Sequence, residues 1–207
     1  ILMELVMGMT DTVFFPSDVA LAAMGNTSKR WQSHLEQGKI YIESGFQAHK
    51  ASGPGRGRKR QISLEAVVQG AIALALMGAG TKVEVAYRIG ADFAYSSRIN
   101  GPRLTDAGAP LEPAQDRFAC KLFGQGQTLL VYAVGAGYDE DGALAIVSDA
   151  DPAVAGVDGF GQAAMLIDCV NSTDGSPRVV MNLTLLCAQI ARSLDIDFQR
   201  AFGWVNA

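Results

Sequence analysis

Side chains that could bind nucleic acid are concentrated in one stretch of this 207-residue sequence. Residues 28–60 contain eight Lys or Arg and only two Asp or Glu. Cationic side chains bind phosphates, and Gln or Ser can hydrogen-bond to base edges. The net charge of the whole chain is −4, but residues 1–100 carry 11 Lys/Arg against 8 Asp/Glu and residues 101–207 carry 6 against 13. Local charge governs binding, so this partition favours a basic binding surface in the first half.

Two short helices around a tight turn are predicted to position these side chains. Pro16 opens the first helix, and Gly25-Asn26 ends it because both residues tolerate positive φ. The second helix ends at Gly38, and its Trp31 and Leu35 are four residues apart, so that both can pack on the first helix. Its start and its remaining faces carry polar residues, namely Thr27, Ser28, Lys29, Arg30, Gln32, Ser33 and His34. We expect all of these except His34 to contact DNA.

A basic hairpin is predicted next. Residues 40–42 alternate in polarity and could pair with residues 60–62. The intervening loop holds four Gly and no acid after Glu43, so it cannot build a core, and a phosphate backbone or minor groove is its natural partner. A solvated linker is the alternative interpretation. The cations expected to bind DNA from this hairpin are Lys39, Lys50, Arg56, Arg58, Lys59 and Arg60.

Two further helices are predicted after the hairpin. Ser63 is expected to cap an apolar helix that runs to Met77, in which Gly70 permits close helix packing. With about twelve apolar residues, this helix is too short to cross a bilayer, which needs about 20. Thr81 is expected to cap the next helix, which runs from Lys82 to about Tyr95.

The order of these elements resembles the N-terminal domain of MerR-type winged helix-turn-helix transcriptional regulators of bacterial and prophage genomes. The matching segments are 19–25, 28–32, 35–40 and 62–66, within residues 15–80. The resemblance implies a homodimer that binds double-stranded DNA, with the second helix in the major groove and the hairpin, or wing, on the backbone or minor groove. The wing is longer than is usual in the family, and neither the long dimerising helix nor the effector cysteines of metal sensors are present. Metal or drug response is therefore not implied.

The second half is predicted to form a separate unit. Residues 96–115 are rich in Pro and Gly, which is typical of a linker. About three antiparallel strands and a helix are expected beyond it, so the fold class is α+β. The predicted strands are 127–134, 143–148 and 162–170, and the predicted helix is 179–194. The predicted divisions are an N-terminal extension (1–14), a winged helix-turn-helix domain (15–95), the linker, and an α+β dimerisation or interaction domain (116–207).

No pattern of reactive residues predicts catalysis. The three cysteines, Cys120, Cys169 and Cys187, lack metal-ligand spacing and are expected to be buried thiols in a reducing cytoplasm. The acids Asp139, Glu140, Asp141, Asp149 and Asp151 could collect a cation but do not follow the EF-hand spacing. We therefore expect no enzyme activity, no cofactor, no metal, no membrane span and a cytoplasmic location. The alternative function is a phage-type assembly or interaction protein whose basic loop contacts protein or RNA.

Overall fold

Helices and one small antiparallel sheet make up the architecture of the computed structural model. The structure describes residues 14–22, 31, 33–34, 62–99, 116–133, 143–148 and 178–203. The helices are α1 (Pro16–Ala22), α2 (Leu64–Gly78), α3 (Val83–Tyr95), α4 (Leu183–Leu194) and α5 (Phe198–Phe202). The strands are β1 (Arg98–Ile99), β2 (Asp116–Arg117), β3 (Thr128–Ala133), β4 (Ala143–Ser148) and β5 (Arg178–Asn182). The predicted α+β class is confirmed.

Helix α2 is the central helix of the described residues. Ser63 caps it as predicted, because its Oγ accepts a hydrogen bond from the backbone N–H of Ala66 at 3.2 Å. Nearly the whole length of α2 is buried, as its continuous apolar sequence requires. Among the helices that the structure describes, none combines the length and the apolar character needed to span a membrane.

Helix α3 packs closely along α2, and its start corrects one prediction. A Cβ at Gly90 would lie 2.6 Å from the backbone oxygen of Gln69, so the close approach requires glycine. The N-cap residue is Lys82, which makes no side-chain capping bond. Thr81 was expected to cap this helix, but it lies one position too early, and its buried hydroxyl has no partner among the described residues.

The three-stranded sheet has the order β4-β3-β5, with both outer strands antiparallel to β3. Leu130 in the centre of β3 lies opposite Ile146 on one side and Met181 on the other. The strands predicted at 127–134 and 143–148 are confirmed as β3 and β4. The strand predicted at 162–170 lies outside the described residues.

Strand β5 occupies residues that were predicted to begin the last helix. The prediction of helix from residue 179 is wrong, because 179–182 pair with β3 and the helix begins at Leu183. The β-branched Val179 and Val180 suit a strand. Asn182 then caps α4, with its Oδ1 accepting from the N–H of Leu185 at 3.0 Å.

Both halves of the described chain contribute to one hydrophobic core. Val19 of α1, Leu74 of α2, Leu130 of β3, Ile190 of α4 and Phe202 of α5 are all buried in the same cluster. Helix α1 also contacts α4 directly. The predicted domain boundaries stay a prediction, since most of the linker at 96–115 lies outside the described residues.

Candidate nucleic-acid interface

Most of the predicted DNA-binding residues lie outside the part of the chain that the structure describes. Ser33 is the one that it describes, and this residue is half-buried in helical backbone. The structure also describes Trp31 and His34 in helical backbone, and we call Trp31, Ser33 and His34 the reading segment after the role predicted for them. Outside the described residues lie Thr27, Ser28, Lys29, Arg30, Gln32, Lys39, Lys50, Arg56, Arg58, Lys59 and Arg60.

Trp31 fixes the reading segment to α1 and α2. Its side chain is only 1% exposed. A Cβ added at Gly70 would lie 2.6 Å from Cγ1 of Val19 and 2.8 Å from Nε1 of Trp31, so the indole fits only because residue 70 is glycine. Trp31 therefore lies in the core beside Val19 of the first helix, as predicted, and Gly70 permits this close packing. Leu35, the second residue predicted to pack there, lies outside the described residues.

His34 fixes the reading segment at a second point. Its Nδ1 lies 2.9 Å from the hydroxyl oxygen of Tyr87, which is fully buried in α3. The two rings meet edge to face, with centroids 5.5 Å apart and an interplanar angle of 79°. The sequence interpretation grouped His34 with the polar residues on the faces that do not pack on the first helix, and its contact with α3 was not predicted. The spacing of three residues from Trp31 was the signal that could have placed both on one side.

Tyr87 belongs to a polar network between α2 and α3. Its backbone oxygen accepts a hydrogen bond from Nε2 of Gln69 at 3.1 Å. Oε1 of Gln69 accepts in turn from the hydroxyl of Tyr95 at 3.4 Å. Gln69 is buried, so these bonds satisfy an amide that would otherwise be costly inside the core. Helices α2 and α3 therefore form a fixed platform under the reading segment.

Ile62, where the chain is predicted to leave the wing, pairs with Phe14, the first residue that the structure describes. Ile62 donates its N–H to the oxygen of Phe14 at 2.9 Å and accepts from the N–H of Phe14 at 3.3 Å. Phe14 was assigned to the N-terminal extension, yet it is buried in the core. The predicted partners of this strand, residues 40–42, lie outside the described residues.

Two buried cations have structural partners at helix ends. Arg117 donates to the backbone oxygens of Phe93 and Ser96 at 3.0 and 2.9 Å, where α3 ends. Nζ of Lys121 donates to the oxygens of Arg200 and Ala201, each at 2.8 Å, in the last turn of α5. Positive charge is favourable at a helix C-terminus, where carbonyls lack partners. Burial lowers the pKa of Lys121. Both side chains stabilise the fold and do not face a phosphate surface.

Both thiols that the structure describes lie in the hydrophobic core. Cys120 and Cys187 are buried and unpaired with each other. Burial raises the pKa of both thiols, and a thiol that stays protonated is neither a nucleophile nor a good ligand. Among the described residues, no three His, Cys, Asp or Glu are grouped to hold a metal ion. Cys169 and the five acids considered as cation ligands lie outside that part of the chain.

No protein-family model matches the sequence, and no curated protein matches it. The resemblance to MerR-type regulators therefore stays a prediction based on the order of short segments.

Proposed function

We propose that this chain is a sequence-specific regulator that binds double-stranded DNA as a homodimer. The observation that carries the proposal is the attachment of the reading segment by one side. Trp31 and His34, three residues apart, both contact the platform of α2 and α3, Trp31 beside Gly70 and His34 at Tyr87. A helix held in this way can present its opposite side to a major groove, as helix-turn-helix proteins do.

Helical geometry selects the side chains that would face the groove. Successive residues of an α-helix are about 100° apart, so Trp31 and His34 lie about 60° from each other. On that spacing we expect Lys29, Gln32 and Ser33 on the far side from the platform. Arg30 is expected on the flank, where a guanidinium suits a neighbouring phosphate or the edge of a guanine. All of these remain candidates for readout.

The charge of residues 28–60 supports contacts to the DNA backbone. Eight cations against two acids supply a local positive field that the acidic remainder of the chain does not cancel at short range. The wing residues Arg56, Arg58, Lys59 and Arg60 form the densest part of this charge. They would bind phosphates or the minor groove, and so add affinity without adding much sequence preference.

Fluorescence anisotropy with a labelled random duplex tests the proposal. At about 50 mM salt we expect binding, and affinity should fall roughly 10²-fold or more at about 200 mM because several phosphate contacts release counterions. Selection from a random pool should then enrich an inverted repeat, as a homodimer requires. A folded protein that binds no duplex at low salt would contradict the proposal. The basic loop would then be assigned to a protein or RNA partner.

A further inference from the structure

We infer that Tyr87 is a positioning residue, whose hydroxyl sets the angle of the reading segment and thereby its discrimination between DNA sequences. Tyr87 lies in α3 and is fully buried, so it touches no DNA itself. It would act through His34, whose Nδ1 is 2.9 Å from its hydroxyl. This inference rests on the proposed function, because it concerns the geometry of the same DNA-binding surface.

The two attachments of the reading segment differ in kind. Trp31 is held by apolar packing beside Gly70, and such packing is not directional. The contact between His34 and Tyr87 is directional, because a hydrogen bond weakens steeply when its angle changes. The edge-to-face arrangement of the two rings, at 79°, adds a second angular preference. The packing therefore holds the segment in place, while the hydrogen bond fixes its rotation.

Tyr87 is itself held rigidly. Its backbone oxygen accepts a hydrogen bond from Nε2 of Gln69 at 3.1 Å. On the neighbouring turn, Gly90 brings the α3 backbone against the backbone of Gln69, so the two helices are closely packed there. The position of the Tyr87 hydroxyl is thus set by the packing of two long helices and passed on to the reading segment.

A change in rotation should affect specific binding more than nonspecific binding. Hydrogen bonds to base edges need accurate geometry, and a mismatched base pair costs about 1–3 kcal/mol, or roughly 5- to 150-fold. Phosphate contacts made by long cationic side chains tolerate small movements. Loss of the Tyr87 hydroxyl should therefore lower the affinity for a selected site and leave the affinity for a random duplex almost unchanged.

The test compares Tyr87→Phe with Tyr95→Phe in the full chain. Both changes remove one phenolic hydroxyl from α3, but the Tyr95 hydroxyl binds Gln69 within the platform. Anisotropy gives the ratio of affinities for the selected site and a random duplex, and the salt dependence of each. We expect Tyr87→Phe to reduce the ratio by about 5-fold or more with the salt dependence unchanged, on the scale of a single mismatch. Tyr95→Phe should leave the ratio within about 2-fold of the wild type.

A second pair of variants tests His34, the hydrogen-bond partner of Tyr87. His34→Asn keeps a polar atom near the place of Nδ1 and should retain most of the ratio, whereas His34→Leu should lose it as Tyr87→Phe does. An unchanged ratio in Tyr87→Phe, or equal losses for both duplexes, would overturn the positioning role while leaving DNA binding intact. A folded wild-type chain that binds no duplex would instead overturn the proposed function, and the positioning role with it.

Discussion

The guanidinium of Arg117 packs on the ring of Phe93 and also binds the backbone of the same residue. Its Cζ lies 4.9 Å from the ring centroid, and Nη1 donates to the Phe93 oxygen at 3.0 Å. Nη2 donates at 2.9 Å to the oxygen of Ser96, just beyond α3. One side chain from β2 therefore caps the C-terminal end of α3, the helix that carries Tyr87.

Replacement of Arg117 should destabilise the protein severely. The side chain is only 2% exposed, and Arg117→Met would remove the donor to the buried carbonyl oxygen of Phe93 and to the part-buried oxygen of Ser96. We expect a loss of about 2–4 kcal/mol in the free energy of unfolding, measured by urea denaturation. Arg117→Lys should recover little of it, because a lysine lacks the planar fork that reaches two carbonyls and stacks on a ring. A loss below about 0.5 kcal/mol in either variant, the size of an ordinary surface substitution, would contradict this account.

Gly70→Ala should loosen the attachment of the reading segment. The added methyl would lie 2.6 Å from the Val19 side chain and 2.8 Å from the Trp31 indole. We expect a cost of about 1–3 kcal/mol in the free energy of unfolding, because the core there is closely packed. Gly78→Ala is the matched control: it lies in the same helix with open space around it, and it should be neutral or stabilising by up to about 1 kcal/mol. Equal effects of the two changes would argue against close packing at residue 70.

The buried thiols should make the protein less stable at alkaline pH. Burial raises the folded-state pKa of Cys120 and Cys187 above the ordinary value of 9.0. Below pH 9.0 both states hold the proton and the full stability is present; as pH rises above it, the unfolded chain loses protons that the folded chain keeps, so stability falls. The slope is at most about 1.4 kcal/mol per pH unit per thiol.

Denaturation by urea at pH 8, 9 and 10 measures this slope. Burial shifts the pKa of Lys121 downward, which works in the opposite direction, because the unfolded chain then binds more protons and stability rises with pH. Because Lys121 is present in both proteins, the decline in stability with pH is compared between Cys187→Ala and the wild type. Cys187→Ala should be less stable than the wild type at pH 8 and show a shallower decline up to pH 10. A decline as steep as that of the wild type would contradict the assignment to this thiol.

Neutralising one wing cation should lower the salt dependence of DNA binding. If Arg58 neutralises one phosphate, Arg58→Gln should reduce the slope of log affinity against log salt by about 0.9 and weaken all duplexes to a similar extent. Arg192→Gln removes the same charge from an exposed position on α4 and serves as the control. Equal slopes in the two variants would exclude Arg58 from the phosphate contacts.

The elements that could be predicted are those whose signals are local. Ser63 three residues before Ala66, followed by an apolar run, is sufficient to define the start of α2. Strand β5 was missed because residues 179–182 take their conformation from pairing with β3, which tertiary contacts decide. Val179 and Val180 lie four and three residues before Leu183, so they continue the apolar spacing of α4 and the local sequence favoured a helix.

The contacts that attach His34 and Arg117 could not be predicted from the sequence. His34 and Tyr87 are 53 positions apart, and Arg117 and Ser96 are 21 apart, so no local pattern joins them. By residue type alone, an arginine is expected at the surface and a histidine at least partly exposed. The packing of Trp31, in contrast, follows from its size and apolar character, and was correctly predicted.

The bonds from Lys121 to the oxygens of Arg200 and Ala201 join positions 79 and 80 residues apart. The N–H of Leu122 likewise donates to the oxygen of Phe202 at 2.9 Å. During synthesis at about 5–20 residues per second, the segment around Lys121 leaves the ribosome several seconds before its partners exist. The core that α5 completes can therefore close only after translation has passed residue 202. Until then the nascent chain exposes apolar surface that α5 later covers.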